Sequence, residues 1–167
     1  MSNKEKIALV GKGIVYDTGG VSIKTPTPNM IGMKRDMGGA AVAFGSFLSA
    51  VALEVDREVT CTLCLADNAI GPRSQRNDDI IRFKSGITCE INNTDAEGRI
   101  VLADGVFHAS TLNPALIIDM ATLTGAQMIA TGKYHAGLFT GSDEVEEKLM
   151  ASAVKTGDLL MPILYAP

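Results

Sequence analysis

Histidine is scarce in this chain: there are two in 167 residues, His108 and His135. Neither belongs to an H-E-x-x-H pattern, so a histidine-based zinc protease has no support. Cysteine is scarce as well, and three residues, an odd number, make a poor disulfide framework and read as reduced thiols. Cys61 and Cys64 stand three apart in a strand-like stretch, where alternation sends them to opposite faces and away from a shared redox or zinc site. Positive charge is not in excess. Fifteen Lys and Arg against 19 Asp and Glu give a net charge of −4, without the basic face that a phosphate backbone needs, which argues against nucleic acid as a partner. No apolar run approaches the roughly 18 residues of a membrane span. The polar start, Met1 to Lys6, has no stretch that could act as a secretion signal, so a cytosolic, cytoplasmic protein is expected. That expectation also empties the glycosylation pattern Asn92-Asn93-Thr94 of meaning.

What is present is apolar and glycine-rich. Hydrophobic residues make up 46% of the chain, and at this length they can fill the core of one domain. Seventeen glycines beside only 5% aromatic residues suggest an α/β chain with many tight strand-to-helix turns. The glycines from Gly11 onward match neither phosphate-binding pattern: Tyr16 occupies the third glycine position of G-x-G-x-x-G, and no Gly-Lys-Ser/Thr follows.

Hydrophobic patterning predicts short buried strands at Ile7 to Val10 and Ile14 to Tyr16, joined through Gly11-Lys12-Gly13. The segment Thr25-Pro26-Thr27-Pro28-Asn29 reads as a loop because each proline removes a donor and restricts its predecessor. Gly38 to Leu53 reads as a helix packed closely on a sheet, too apolar to be exposed. Glu58 to Ala66 is a strand, Asp67 to Asp79 a polar loop, and Ile80 to Lys84 with Ile87 to Ile91 a hairpin around Ser85-Gly86. Glu97 to Ser110 is a helix, Ala115 to Met120 a buried strand, Gly125 to Ala130 a short helix and Glu144 to Lys155 an amphipathic one. The apolar end, Leu160 to Pro167, carries no cap or tail and reads as cut off within a domain. The expected architecture is a mixed, mostly parallel central sheet flanked by helices.

Four carboxylates, Asp17, Asp36, Asp95 and Glu97, fall where a strand ends or a helix begins, the places at which an α/β fold presents side chains to a crevice. Bringing four like charges together out of water requires cations, and two divalent ions would match them. Each carboxylate also has a plain structural explanation. Thr94-Asp95-Ala96-Glu97 matches a helix capping box, Asp17 before Thr18-Gly19-Gly20 is a turn residue, and Asp36 is a helix N-cap. Lys12, Lys24 and Arg99 stand beside these carboxylates, positioned to handle a developing oxyanion; the plain alternative is solvated surface charge.

Two stretches carry a resemblance. Asn93-Thr94-Asp95-Ala96-Glu97-Gly98-Arg99 running into Ile100-Val101-Leu102-Ala103-Asp104 resembles the signature of the leucine aminopeptidase family. Gly11-Lys12-Gly13-Ile14-Val15-Tyr16-Asp17-Thr18-Gly19-Gly20, through Lys24 to Met33-Lys34-Arg35-Asp36-Met37-Gly38-Gly39, is similar to that family's upstream metal-binding segment. A third stretch, Asp119 to Ala126, is similar to its substrate-cleft strand. The resemblance implies that Asp17 and Glu97 bridge two metals, that Lys12 and Asp36 complete the tighter site, and that Asp95 completes the more exchangeable one. The metals it implies are zinc or manganese, with magnesium or cobalt as further possibilities. A lysine ligand must be neutral to donate a lone pair, and the adjacent metal charge is what makes it so.

The implied reaction is hydrolysis of the N-terminal residue of peptides by a water activated between the two ions. Lys24 would stabilise the gem-diolate oxygen, and Arg99 would hold a bicarbonate that relays a proton. Met33, Asn93, Thr122, Leu123 and Gly125 would line the substrate cleft. Thr94 could still cap its helix, whose positive end would favour the carboxylates beside it. The resemblance spans nearly the whole of residues 1–167, yet the family's proteins are considerably longer. They add an N-terminal domain and a C-terminal part that closes the pocket and helps assemble a hexamer. The chain therefore reads as a partial catalytic domain, with a catalytically incompetent fragment or assembly subunit as the alternative.

Overall fold

The computed structural model describes residues 5–164. The residues before and after that span, including the last three of the apolar end, lie outside the described residues. The chain divides into two compact units, Met1–Leu123 and Thr124–Pro167.

The first unit is built on strand β1, Lys6–Asp17. It is flanked by β2, Glu58–Asn68, and β5, Leu116–Met120, in the order β2-β1-β5. Both pairings are parallel, with Ile7 level with Val59 on one side and Leu116 on the other. Helix α1, Gly38–Ala52, connects β1 to β2; helix α2, Glu97–Ser110, precedes β5. Between β2 and α2 lies a separate antiparallel hairpin of β3, Ile80–Arg82, and β4, Thr88–Glu90. The central sheet is thus parallel throughout, and the antiparallel part of the expected mixed topology is confined to that hairpin.

Alternation along β1 assigns the two helices to opposite faces of the sheet. On one face Ala8 and Val10 are fully buried and form the core with Leu102 and Ala109 of α2. On the other face the glycines of β1 meet α1: a Cβ added to Gly11 would lie 2.5 Å from Ala40 Cα and 2.7 Å from Gly39 O. This contact corrects the expected break at Gly11-Lys12-Gly13. The glycines do not turn the chain; they let a helix backbone approach a continuous strand. Cys61 is level with Leu9 and Cys64 with Lys12, so the two thiols point to opposite faces.

Helix α1 buries only its small residues, Gly39, Ala40 and Ala43. Val42, Leu48 and Val51 remain half or more exposed, which corrects the expectation that so apolar a helix has no open side. The Pro26–Met30 segment is a single irregular turn, with Thr27 extended inside it, closed by Met30 N–H donating to Thr25 O at 3.0 Å. A short helical turn, Met33–Arg35, follows it.

The second unit holds α3, Ala126–Thr131, and α4, Asp143–Thr156, with β6, Ala136–Leu138, pairing in parallel with β7, Leu160–Pro162. Both strands are three residues long, too short for periodicity to reveal. Helix α4 is capped at both ends: Ser142 accepts from Val145 N–H, acidic residues fill the first turn, Lys155 stands in the last, and Gly157 follows at φ 78°. Among the described residues no helix is long and apolar enough to cross a membrane.

Candidate metal centre

Because β1, β2 and β5 run parallel, their carboxyl ends share one edge, and α1 and α2 begin beside it. An open parallel sheet binds ligands at such an edge. Pairing between β1 and β2 slips there: Ile14 is level with Ala66, but Asp17 is level with Asn68. Three steps on one strand match two on the other, which is a β-bulge, and a bulge re-aims the side chains beyond it. Val15 and Tyr16 are exposed while Asp17 is 3% exposed.

Asp17, Asp36 and Glu97 converge, offering ligand oxygens that all lie within 4.8 Å of one another. Asp17 Oδ1 accepts from Gly19 N–H and from Asn68 Nδ2, each at 2.8 Å. The plain turn reading of Asp17 is therefore also true, and its second oxygen is left for Lys24 Nζ at 3.1 Å. Asp36 ends the Met33–Arg35 turn, its N–H donating to Met33 O, and its carbonyl accepts from Ile14 N–H at 3.2 Å. It is not the N-cap of α1; that position is Met37, without a side-chain cap. Glu97 opens α2 and is buried. Asp95 stands half-buried at the rim and joins the others through Lys24 Nζ, 2.5 Å from its Oδ1.

Two lysines are threaded through these carboxylates. Lys12, 2% exposed, donates to Thr122 O at 3.0 Å and contacts Asp36 Oδ2 and Glu97 Oε1, each at 2.9 Å. It reaches Glu97 past Gly98, where an added Cβ would lie 2.7 Å from both its Cε and its Nζ. Two ammonium groups against four carboxylates leave the cluster short of positive charge. Burial pushes the Glu97 carboxyl up; Lys12 opposes this and the Asp17 charge adds to it, so the pKa lies above the usual 4.5. Burial pulls the Lys24 pKa down, but its close contacts with the Asp95 and Asp17 carboxylates outweigh that and raise it above 10.5.

Asp36 Oδ2 and Asp95 Oδ1 are buried without an aligned hydrogen bond, each having only its ion-pair contact with a lysine. Buried carboxylate oxygens with spare lone pairs, gathered from separate parts of the chain, are a donor set that suits hard divalent cations.

Thr122 Oγ1 donates to Asp36 Oδ1 at 2.8 Å, so this residue, expected to line the substrate cleft, also clamps a carboxylate. Asn93 caps the Thr94–Ala96 turn by accepting from Asp95 N–H. Thr94 does not perform the expected capping. Its fully buried hydroxyl donates to Gly19 O at 2.6 Å and accepts from Ser22 N–H at 2.8 Å, tying the Asp17 loop to the Asp95 turn. Met33 is half-buried; Leu123 and Arg99 are exposed. Gly125, preceding α3, belongs to the second unit. Sequence reasoning missed Asn68, whose buried amide touches two of the carboxylates. The only signal for it was a polar residue two places beyond the end of a predicted strand.

The profile of the cytosol aminopeptidase family, catalytic domain, matches residues 1–167. A curated relative, probable aminopeptidase NPEPL1 of Mus musculus, is 56% identical over 164 residues, covering 98% of this chain and 31% of the relative. The structure of leucyl aminopeptidase from Trypanosoma brucei in complex with bestatin superimposes with a TM-score of 0.94 at 55% identity, covering 98% of this chain and 32% of that one. Leucine aminopeptidase LAP1 of Caenorhabditis elegans gives 0.96 at 47% identity, covering 100% and 34%. The chain thus spans about a third of the length of the relatives it matches.

Proposed function

This chain belongs to the cytosol aminopeptidase family, and from that premise we propose that its acidic crevice holds two divalent cations and serves the hydrolysis of N-terminal residues from peptides. The observation that carries the reading is the buried convergence of Asp17, Asp36 and Glu97 within 4.8 Å, with Asp36 Oδ2 left without a hydrogen-bond donor. Lys12, Asp17, Asp36, Asp95 and Glu97 would hold the cations. Zinc or manganese suits this set, as do magnesium and cobalt. When bound, the cations supply Lewis-acid activation of water and of the scissile carbonyl.

The chain's own residues do the rest. Lys12 donates to Thr122 O and forms ion pairs with Asp36 and Glu97; only an unprotonated amine has a lone pair to offer a cation. Lys24 Nζ is held between Asp17 and Asp95 with the side chain 16% exposed, fixed in place yet reachable. It donates to the oxygen that gains charge as the scissile carbon becomes tetrahedral. Arg99, exposed two residues after Glu97, would hold a bicarbonate in its planar fork, which would supply a proton relay. Met33, Asn93, Thr122 and Leu123 line the path of the peptide. The whole protein acts in the cytoplasm, as its relatives' cytosol aminopeptidase names suggest, and assembles as a homo-oligomer, a hexamer.

The test is direct. Metal-loaded protein cleaves leucyl anilide, a chelator abolishes this, and elemental analysis finds two cations per chain. Finding none in protein equilibrated with micromolar zinc or manganese would leave a non-catalytic assembly subunit as the better reading.

A further inference from the structure

Asn68 is the last residue of β2, is buried, and is paired with Asp17 across the bulge in β1. Its backbone carbonyl accepts from both Thr18 N–H and Thr18 Oγ1 at 2.8 Å, which fixes the main chain from which the side chain extends. Its Nδ2 lies 2.8 Å from Asp17 Oδ1, 3.0 Å from Thr94 O and 3.3 Å from Glu97 Oε2. All three partners are acceptors, so the amide's orientation is settled: the NH2 end faces them. The opposite end, Oδ1, packs against Gly20, where an added Cβ would lie 3.0 Å from it.

One neutral donor therefore holds a carboxylate from β1 and a carboxylate from α2 at a shared distance. Two anions would otherwise repel one another, and a lysine in the same place would add a charge competing with any cation. An amide draws both oxygens in without doing so. Resting on the metal centre proposed above, we infer that Asn68 is a positioning residue: its side-chain amide sets the spacing of Asp17 and Glu97 on which the shared cation site depends. It touches neither substrate nor reacting atoms and acts through the two carboxylates. Hydrogen-bond partners that orient metal ligands typically change affinity by about 10- to 100-fold when removed.

The experiment titrates the full chain with cobalt(II), read by visible absorption and by competition with a chromophoric chelator. Three proteins are compared: the parent, Asn68→Leu, which keeps the volume and loses every donor, and Asn68→Ser, which keeps one hydroxyl donor. The expected result is an affinity lower by about 10- to 100-fold in Asn68→Leu, with altered cobalt bands and Asn68→Ser in between. A purely structural asparagine would lower the melting temperature of the metal-free protein but leave the affinity and bands of folded protein unchanged; that result overturns the inference. Should Asn68→Leu fail to fold, parent-like affinity and bands in Asn68→Ser overturn it equally. A parent that binds no cobalt removes the metal centre itself, an outcome distinct from the other two.

Discussion

Lys12 and Asp17 stand five residues apart on one strand, which in a regular strand would send them to opposite faces of the sheet. Here they serve the same crevice, because the pairing slips by one residue between Ile14 and Asp17. Lys12 reaches Glu97 Oε1 at 2.9 Å, and Asp17 is joined to Glu97 through the Asn68 amide. The centre therefore depends on a bulge, and on side chains whose paths are kept open by glycine.

Gly98→Ala should separate binding from folding. Its added Cβ would displace the end of Lys12, 2.7 Å away, while alanine gains about 1 kcal/mol of helix propensity over glycine. The melting temperature should stay near the parent value and zinc or manganese affinity should fall tenfold or more by chelator competition. Unchanged affinity would count against Lys12 as a ligand. Lys12→Arg should be at least as damaging despite the retained charge, since guanidinium does not deprotonate.

Gly11→Ala should do the reverse and damage the fold. Its Cβ would meet backbone atoms of α1, with Ala40 Cα at 2.5 Å and Ala40 N at 2.8 Å, none of which can rotate aside. A loss of about 1–3 kcal/mol is expected from overpacking, read as a lower urea midpoint. A midpoint equal to the parent's would mean that α1 docks less tightly than described.

Lys24→Met tests the division of labour between cation binding and catalysis. Removing an ammonium that pairs with Asp17 and Asp95 leaves the carboxylates available to cations, so metal content should persist. The turnover number should drop about 100-fold or more, the range for loss of an oxyanion donor, with KM affected much less. A fall in KM-linked binding alone would rule out the oxyanion role.

Cation binding should stabilise the fold. At a free concentration about 100 times Kd, linkage adds roughly 2.7 kcal/mol, and for a chain of this size each kcal/mol moves the melting temperature by about 2–4 °C. Scanning calorimetry with and without manganese would measure the rise, which a chelator should reverse.

Cys64 gives a pH-dependent prediction away from the centre. Burial pushes its thiol above the ordinary 9.0, with the Asp104 and Asp119 charges adding to the shift. The folded state thus holds this proton more tightly than the unfolded state does. Its stabilising contribution is complete below pH 9 and is lost as pH rises through the folded value. Iodoacetamide at pH 8 should label Cys64 more slowly in folded than in urea-unfolded protein, and urea midpoints should decline above pH 9. Equal labelling rates would contradict the burial.

Helices α1, α2 and α4 and strands β2 and β5 were legible in the sequence to within one or two residues, because their periodicity and end signals are local. The two residues by which β2 outran its reading matter most: Asp67 was read as loop, and so was Asn68, which belongs to the candidate site. Strand β1 was read as two because Gly11 and Gly13 suit a turn equally well. Their actual cause is a helix packed against them. Thr94 matched a capping pattern perfectly, yet its hydroxyl bonds to Gly19 and Ser22, more than 70 positions away in the chain.

Sequence by itself determined the inventory of the centre: acidic groups and lysines at strand ends and helix starts, in an order that resembles one family. Tertiary structure alone decided which of them meet. A hydrophobic pattern reports only on the conformation of nearby residues, whereas bringing positions 12, 17, 36, 68 and 97 together depends on strand order, on a one-residue slip in register, and on helices docking where glycine admits them. Those are sums of many distant contacts, and no short stretch of the chain contains them.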